Sequence, residues 1–191
     1  VWSIQDRNMS TLKVSTIAPL GTDATKTITI GSGANGDKAE GVFTNKPYFS
    51  VYLSSSQTVS DDTATKVQFD TEFVDTDSTY DNATNYRFTV PTGQAGKYFF
   101  NCDLTAAADT TQLNDLKLFI YKNGSNLTGT EARVRYQSQN ISRASINTTA
   151  ILNLSVGDYI EIYGQLDISG GSARIMDGGK CRFTGYRMIG A

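Results

Sequence analysis

The chain has 191 residues, of which 19% are charged, with a formal net charge of −2 and no histidine. That length suits one domain plus a modest extension, and its singly scattered Lys and Arg exclude the electrostatic footprint of a nucleic-acid or anionic-membrane binder. Abundant Thr, Ser, Asn, Gly and Tyr point to a turn-rich β protein, because Thr and Tyr suit a pleated surface while Gly and Asn suit turns.

Residues 1–8 carry no pattern, and Met9 is a candidate natural start. No apolar run is long enough to span a bilayer, and the first residues lack the charged-then-apolar plan of a signal peptide. From Thr11 to Ile30 two short strand-like runs, TLKVSTI and TKTITI, flank a turn-rich patch with Pro19 and Gly21. In the second, Thr27 and Thr29 alternate with Ile28 and Ile30, the period of a strand with one buried face. Gly31-Ser32-Gly33-Ala34-Asn35-Gly36 has the G-x-G-x-x-G spacing, but a dinucleotide site needs a helix directly after it. Gly41 and Pro47 would interrupt such a helix, so the stretch reads as a flexible linker. The boundary between extension and main domain is expected at 46/47.

The main domain reads almost wholly as strands. PYFSVYL (47–53) alternates and is followed by a polar loop, SSSQTVSDD. KVQFDTEFV (66–74) is expected as one strand with Val67, Phe69 and Phe73 on one side. Tyr86, Phe88 and Val90 alternate up to Pro91, and after a glycine-containing turn Tyr98, Phe100, Cys102 and Leu104 share one face. LKLFIY (116–121) ends in Lys122-Asn123-Gly124, a hairpin signal because Asn-Gly accepts positive φ. ARVRYQS (132–138), SINTTAILNLS (145–155), DYIEIYGQL (158–166) and KCRFTGYRMI (180–189) complete the series. Eight or more strands without an amphipathic helix imply a β-sandwich or jelly roll and exclude an α/β fold. Residues 105–115, 139–144 and 167–179 are the loop-like stretches, where a rigid sandwich can vary its binding surface.

Without histidine, neither Ser-His-Asp nor Cys-His activation of a nucleophile is available. Glu72 and Glu161 remain formal candidates for carboxylate-pair hydrolysis, but Glu161 alternates with Tyr159 and Tyr163 and reads as strand surface or subunit contact. The expectation is a protein that is not an enzyme. Asn-x-Ser/Thr triplets begin, among other places, at Asn82, Asn123, Asn126, Asn140, Asn147 and Asn153; several fall in strand-like runs with no room for a glycan. Phe99, Phe119, Tyr121, Tyr159 and Tyr163 alternate out of phase with core residues or flank charged ones. Such side chains suit subunit contacts and the binding of sugars or proteins.

The order of these pieces resembles the C1q/TNF-like jelly-roll family. PYFSVYL and KVQFDTEFV match its first strands, and YDNATNYRFTVP with GKYFFNCDL after it matches its Pro-turn and Gly-x-Tyr-x-Phe core. LKLFIYKNG, INTTAILNLSVGDYIEIY and CRFTGYRMI continue in register with the family, covering residues 47–190. The resemblance implies a ten-strand jelly roll at 47–191, preceded by a β-rich N-terminal extension at 1–46, and a homotrimer about a threefold axis. In that trimer Phe99, Phe119, Tyr121, Tyr159 and Tyr163 are the candidate subunit contacts. Some C1q-like proteins bind Ca2+, which makes Asp75, Asp77 and Asp81 candidate oxygen ligands. The EF-hand pattern itself fails, since Tyr80 stands where Gly is needed and Tyr86 where the bidentate Glu is needed. No other cofactor is expected. The resemblance also places the strands of Cys102 and Cys181 side by side, and both read as small buried hydrophobes, with a cross-strand disulfide as the alternative.

No collagen-like repeat stands upstream. Instead STLKVSTIAPLGTDATKTITIG resembles N-terminal segments of bacteriophage virion proteins, notably fibres with C1q-like tips. The expectation is a virion structural protein, a trimeric fibre or fibre tip that contacts a host glycan or protein and docks on other virion proteins through its extension. The alternatives are a capsid decoration or head-fibre protein, and a secreted cellular C1q-like ligand or lectin.

Overall fold

The computed structural model describes residues 46–109, 112–136, 141–177 and 179–188. The expectations placed on residues 1–45, including the linker and the anchoring role, lie outside the described residues. Among the described residues there are fourteen strands and no helix. In chain order they are β1 (Tyr48–Tyr52), β2 (Gln57–Val59), β3 (Thr65–Lys66), β4 (Thr71–Asp75), β5 (Tyr80–Asp81), β6 (Arg87–Thr89) and β7 (Gly96–Ala108). Next come β8 (Leu113–Lys122), β9 (Ser125–Asn126), β10 (Ala132–Arg135), β11 (Arg143–Leu154), β12 (Tyr159–Ile168), β13 (Ala173–Ile175) and β14 (Arg182–Arg187).

Alternating side chains can bury only one side of a sheet, so two sheets stack to cover one another. The first sheet is centred on β7, which pairs with β11 along one edge and with β14 and then β13 along the other. β1 joins β14, β4 joins β1, and β2 flanks β13. In the second sheet β12 pairs with β8 on one edge and with β6 and β3 on the other, while β10 and β9 pair with β8 and β5 with β6. All pairings are antiparallel. The architecture is the expected jelly-roll sandwich.

The core is a cluster of rings between the sheets. Phe49 lies 5.1 Å from Phe88 and 4.9 Å from Phe183, centroid to centroid, and Phe100 packs 5.6 Å from Phe88. Tyr98, fully buried in the same layer, donates its hydroxyl hydrogen bond to the Gln94 carbonyl at 2.6 Å and so ties down the turn after Pro91. That burial pushes the Tyr98 phenol up to about 12.

Two sequence expectations need correction. The single strand at 66–74 is two: β3 pairs in the second sheet and β4 in the first, so residues 67–70 carry the chain across the sandwich. Val67 and Phe69 are buried in that crossing, but Phe73, expected beside them, is 55% exposed. The register between β1 and β4 shifts at Ser50/Val51, leaving Phe73 as the extra residue of a bulge that turns its ring outward. The loops are also shorter than 105–115, 139–144 and 167–179. β7 runs on to Ala108, β11 begins at Arg143, β12 reaches Ile168, and β13 occupies 173–175. Ala106, Ala107 and Ala108 look loop-like by propensity, yet they are buried and paired to a strand on each edge.

The turns read from sequence are confirmed by their backbone. Asn123 and Gly124 have φ of 53° and 78°, and Gly157 has 83°. Asp158 holds this end together: it accepts from the Ser155 N–H, the Asn123 amide and the Lys122 ammonium, each at 2.8 Å. These hydrogen bonds, that from Asn123 foremost, hold its carboxyl down at about 2, against an ordinary 3.8. A carboxyl depressed on folding contributes stability that is complete above its unfolded pKa and lost as pH falls through the folded one. The melting temperature is therefore expected to fall as pH drops from about 4 to about 2, and Asp158→Asn should flatten that part of the profile measured by circular dichroism.

Candidate functional site

Each sheet turns one face away from the core, and the two outer faces differ. On the first sheet the register aligns Tyr48 with Tyr186, Tyr186 with Phe99, and Phe99 with Ile151, one row across β1, β14, β7 and β11. The Phe99 and Tyr186 rings are 5.2 Å apart. The next row is polar: Ser50, Thr184, Asn101 and Thr149, with a 3.1 Å hydroxyl contact between Ser50 and Thr184. The row beyond joins Tyr52, Arg182, Asp103 and Asn147. There the Phe73 ring stacks 4.4 Å from Tyr52 and lies under the Arg182 guanidinium at 4.5 Å. Asn147 donates to the Asn101 side chain at 2.8 Å and to Asp103 at 2.7 Å, so its amide is engaged within the sheet and leaves no place for a glycan.

Four large apolar side chains are conspicuously exposed among the described residues. Tyr48 (40%), Phe73 (55%) and Ile151 (60%) lie on this face, and Val156 sits in the turn after β11. A hollow of about 280 Å³ opens between β4, β1 and β14, lined by Tyr48, Ser50, Val74, Thr184 and Tyr186. Its lining is mainly apolar. Exposure of this kind, gathered on one face, marks a surface built for contact.

On the second sheet, Phe119 and Tyr121 of β8 stand beside Tyr163 and Glu161 of β12. Tyr121 and Tyr163 stack at 3.9 Å, and Arg87 lies over the Tyr159 ring at 4.1 Å. Phe119 is buried among its neighbours. Glu161, only 4% exposed, is paired with Lys66 at 2.5 Å. The five aromatics expected at a subunit contact therefore divide. Phe119, Tyr121, Tyr159 and Tyr163 share the second sheet's outer face, where the first two and Tyr163 pack in sequence and Tyr159 packs under Arg87, while Phe99 alone joins the exposed row on the first.

The model of the C1q domain family matches residues 48–188, which span both sheets and the exposed row. The chain belongs to the C1q family. Its C1q domain is similar to the globular domain of zebrafish complement 1qA protein, at 19% identity and a TM-score of 0.47, covering 75% of this chain and 98% of that one. It is also similar to the Eiger TNF of S. frugiperda, at 14% identity and a TM-score of 0.51, covering 76% of this chain and 96% of that one. At 14% identity, the second of these shows the shared fold alone. No curated protein sequence matches the chain.

The C1q domain does not gather Asp75, Asp77 and Asp81 into a cage. Asp75 accepts from the Thr79 hydroxyl at 2.9 Å and the Tyr80 N–H at 2.8 Å, and Asp77 is a positive-φ turn residue. Asp81 caps its own turn, accepting from the N–H groups of Thr84 and Ala83 and from the Asn85 amide. Those bonds, that from Thr84 foremost, hold its carboxyl down at about 2. Among the described residues no three His, Cys, Asp or Glu side chains are placed to hold a metal. The formal pair Glu72 and Glu161 is separated too, on β4 of one sheet and β12 of the other.

Cys102 and Cys181 are both free and buried, and β7 does lie against β14. Cys102 sits opposite Phe183, while the Cys181 sulfur accepts from the Thr105 N–H at 3.2 Å and donates to the Thr105 carbonyl at 3.3 Å. Burial pushes the Cys181 thiol up to about 11 and the Cys102 thiol well above its ordinary value. Since the thiolate is the reactive form, the native protein should resist a thiol reagent such as DTNB at pH 8. Two equivalents are expected to react once it is unfolded in guanidinium; rapid titration of the native protein would contradict this packing.

Sequence reasoning missed Tyr48, Phe73, Ile151 and Tyr186 as surface residues. The signal for three of them was present as alternation: Tyr48 beside Phe49, Ile151 between Thr149 and Asn153, and Tyr186 one step past Gly185. Phe73 carried no such signal, because a bulge sets its direction.

Proposed function

We propose that this C1q domain works as a non-enzymatic homotrimer, mounted in a bacteriophage virion as a fibre or fibre tip that contacts the host surface. The observation that carries the trimer is the continuous row Tyr48, Tyr186, Phe99 and Ile151 on the first sheet, with Phe73 nearby. A monomer leaves this row wet, and a threefold assembly covers it against a different surface of the neighbouring copy. The row lies on the face of the sandwich, so a contact there spares the loops between strands for recognition.

The virion location is supported by the N-terminal stretch at 10–31, whose resemblance is to phage structural proteins. The same fold also serves cellular ligands, so the location needs its own test. Light scattering of the purified full chain should give the mass of a trimer, and a stable monomer at micromolar concentration would refute the assembly. Labelled antibody on purified particles, viewed by electron microscopy, should mark a tail position. Labelling spread over the capsid would assign a decoration protein instead, and a gene with no phage structural genes beside it would sink the virion reading altogether.

A further inference from the structure

The first sheet carries a second feature, at the other end of the same face. Arg143 of β11 and Arg174 of β13 are both in register with Ala107 of β7, one from each edge. Ala144, Ala173 and Ile175 beside them are buried, so strand alternation turns both arginines to the outer face. Two strand spacings separate their backbones, roughly 10 Å. Ala107 is too small to fill the gap between them, and a hollow of about 380 Å³ results, lined by Ala107, Ala108, Asp109, Ser142, Arg143 and Arg174.

The lining is predominantly polar and contains no aromatic ring. Asp109 forms an ion pair with Arg174, while Arg143 has no ion-pair partner among the described residues. Two guanidiniums thus face one carboxylate, leaving the hollow net positive. The Arg174 Nε is buried and has no hydrogen-bond partner among the described residues. The guanidinium fork matches a planar carboxylate bidentately, better than an ammonium would. Asp109 adds a constraint of the opposite sign. It repels a multiply charged anion such as phosphate, yet it accepts hydrogen bonds from hydroxyl groups, as Ser142 also can. The ligand that meets both demands carries a single negative charge together with several hydroxyls.

We propose that this hollow binds the carboxylate and adjoining hydroxyls of an acidic sugar. Its position fits recognition. Pro47 and Met188, where the domain's first and last strands begin and end, are bonded to Arg187 and Lys97, beside the Gly96 end of β7. Ala107 lies near the opposite end of that strand, about 30 Å away. The proposal deepens the surface-contact reading but does not depend on where the protein is mounted. Its test uses purified full-length protein alone, so a negative result here leaves the trimer and the virion location to be judged by their own experiments.

The test is ligand-observed NMR titration with D-glucuronate and N-acetylneuraminate, with D-glucose and acetate as controls. At least one sugar acid should bind saturably with Kd on the order of millimolar, weakening as salt is added. Glucose should not compete. Arg143→Ala, at an exposed position, should weaken binding about tenfold, and Arg143→Lys, which keeps the charge and loses the fork, by less. The proposal is overturned if neither acid saturates by about 50 mM, if acetate binds as tightly as the sugar acids, or if Arg143→Ala binds as the wild type does. A circular-dichroism melt of each variant separates lost binding from lost folding.

Discussion

Under the proposed assembly, a Phe99→Asp, Ile151→Asp double variant is expected to scatter light as a monomer at protein concentrations where the wild type scatters as a trimer. The two side chains are register neighbours on β7 and β11, at one end of the exposed row, and Ile151 is 60% exposed in the isolated protomer. Covering a side chain of this size contributes about 1.5–3 kcal/mol, and a closed trimer repeats that contribution at each of its contacts. Replacing both with carboxylates removes the apolar gain and places charges where they must be desolvated. Association should weaken by a factor of at least ~100. Because both side chains point away from the core, the variant should keep its β-type circular dichroism. A control double variant on the second sheet, Tyr121→Ser with Tyr163→Ser, should remain trimeric. If the control dissociates and the first variant does not, the subunit contact belongs to the second sheet.

Gly185→Ala is expected to be the most damaging single methyl group in the domain. Gly185 stands on β14 opposite Phe49 and Phe100, between the inward Phe183 and the outward Tyr186. A Cβ there would lie 2.6 Å from Phe100 Cδ1, 2.7 Å from Phe49 Cε1 and 2.8 Å from Phe100 Cε1. These are rigid ring atoms held by the stacked core, so no flexible side-chain end can move aside. Overpacking of this kind costs about 3 kcal/mol or more, or roughly 10 °C in Tm for a domain of this size. The variant should melt well below wild type by differential scanning calorimetry, or fail to fold. A melting temperature within ~2 °C of wild type would show that the rings are looser than their spacing implies. Ala at Gly93, where no atom lies within 4 Å of the new Cβ, meets only the strain of a φ of 76° and serves as the milder comparison.

The fold was legible because its signals are local. Alternation at Tyr98 to Leu104, the Asn123-Gly124 turn and the Phe183-x-Gly185 pattern each arise from side-chain period or backbone conformation, and these accumulate into a sandwich. The crossing at residues 67–70 was not legible. Which sheet a strand joins depends on distant parts of the chain: Lys66 pairs with Tyr163, and Thr71 pairs with Tyr52, whose other neighbour is Arg182. The short β13 was hidden for the same reason, since only Ala173 and Ile175 mark it. The candidate site was legible in kind and not in place. Composition announced many amphipathic aromatics, but alternation alone cannot say which outer face is left open. Only the register, which lets Tyr121 cover Tyr163 and leaves Ile151 bare, makes that distinction.

The pairing of β1 with β14 has a consequence for how the protein is made. Tyr48 to Tyr52 bond to Arg182 to Tyr186, so the first strand of the domain has one of its two neighbours in the last. A chain emerging from the ribosome holds β1 and β7 with a gap between them until β14 has cleared the exit tunnel. Through that interval the edges of both strands offer unpaired backbone to any other extended chain nearby. Deletion of the six residues of β14 should therefore yield aggregate, because the strand that closes the sandwich is also the one that ends its exposure to its neighbours.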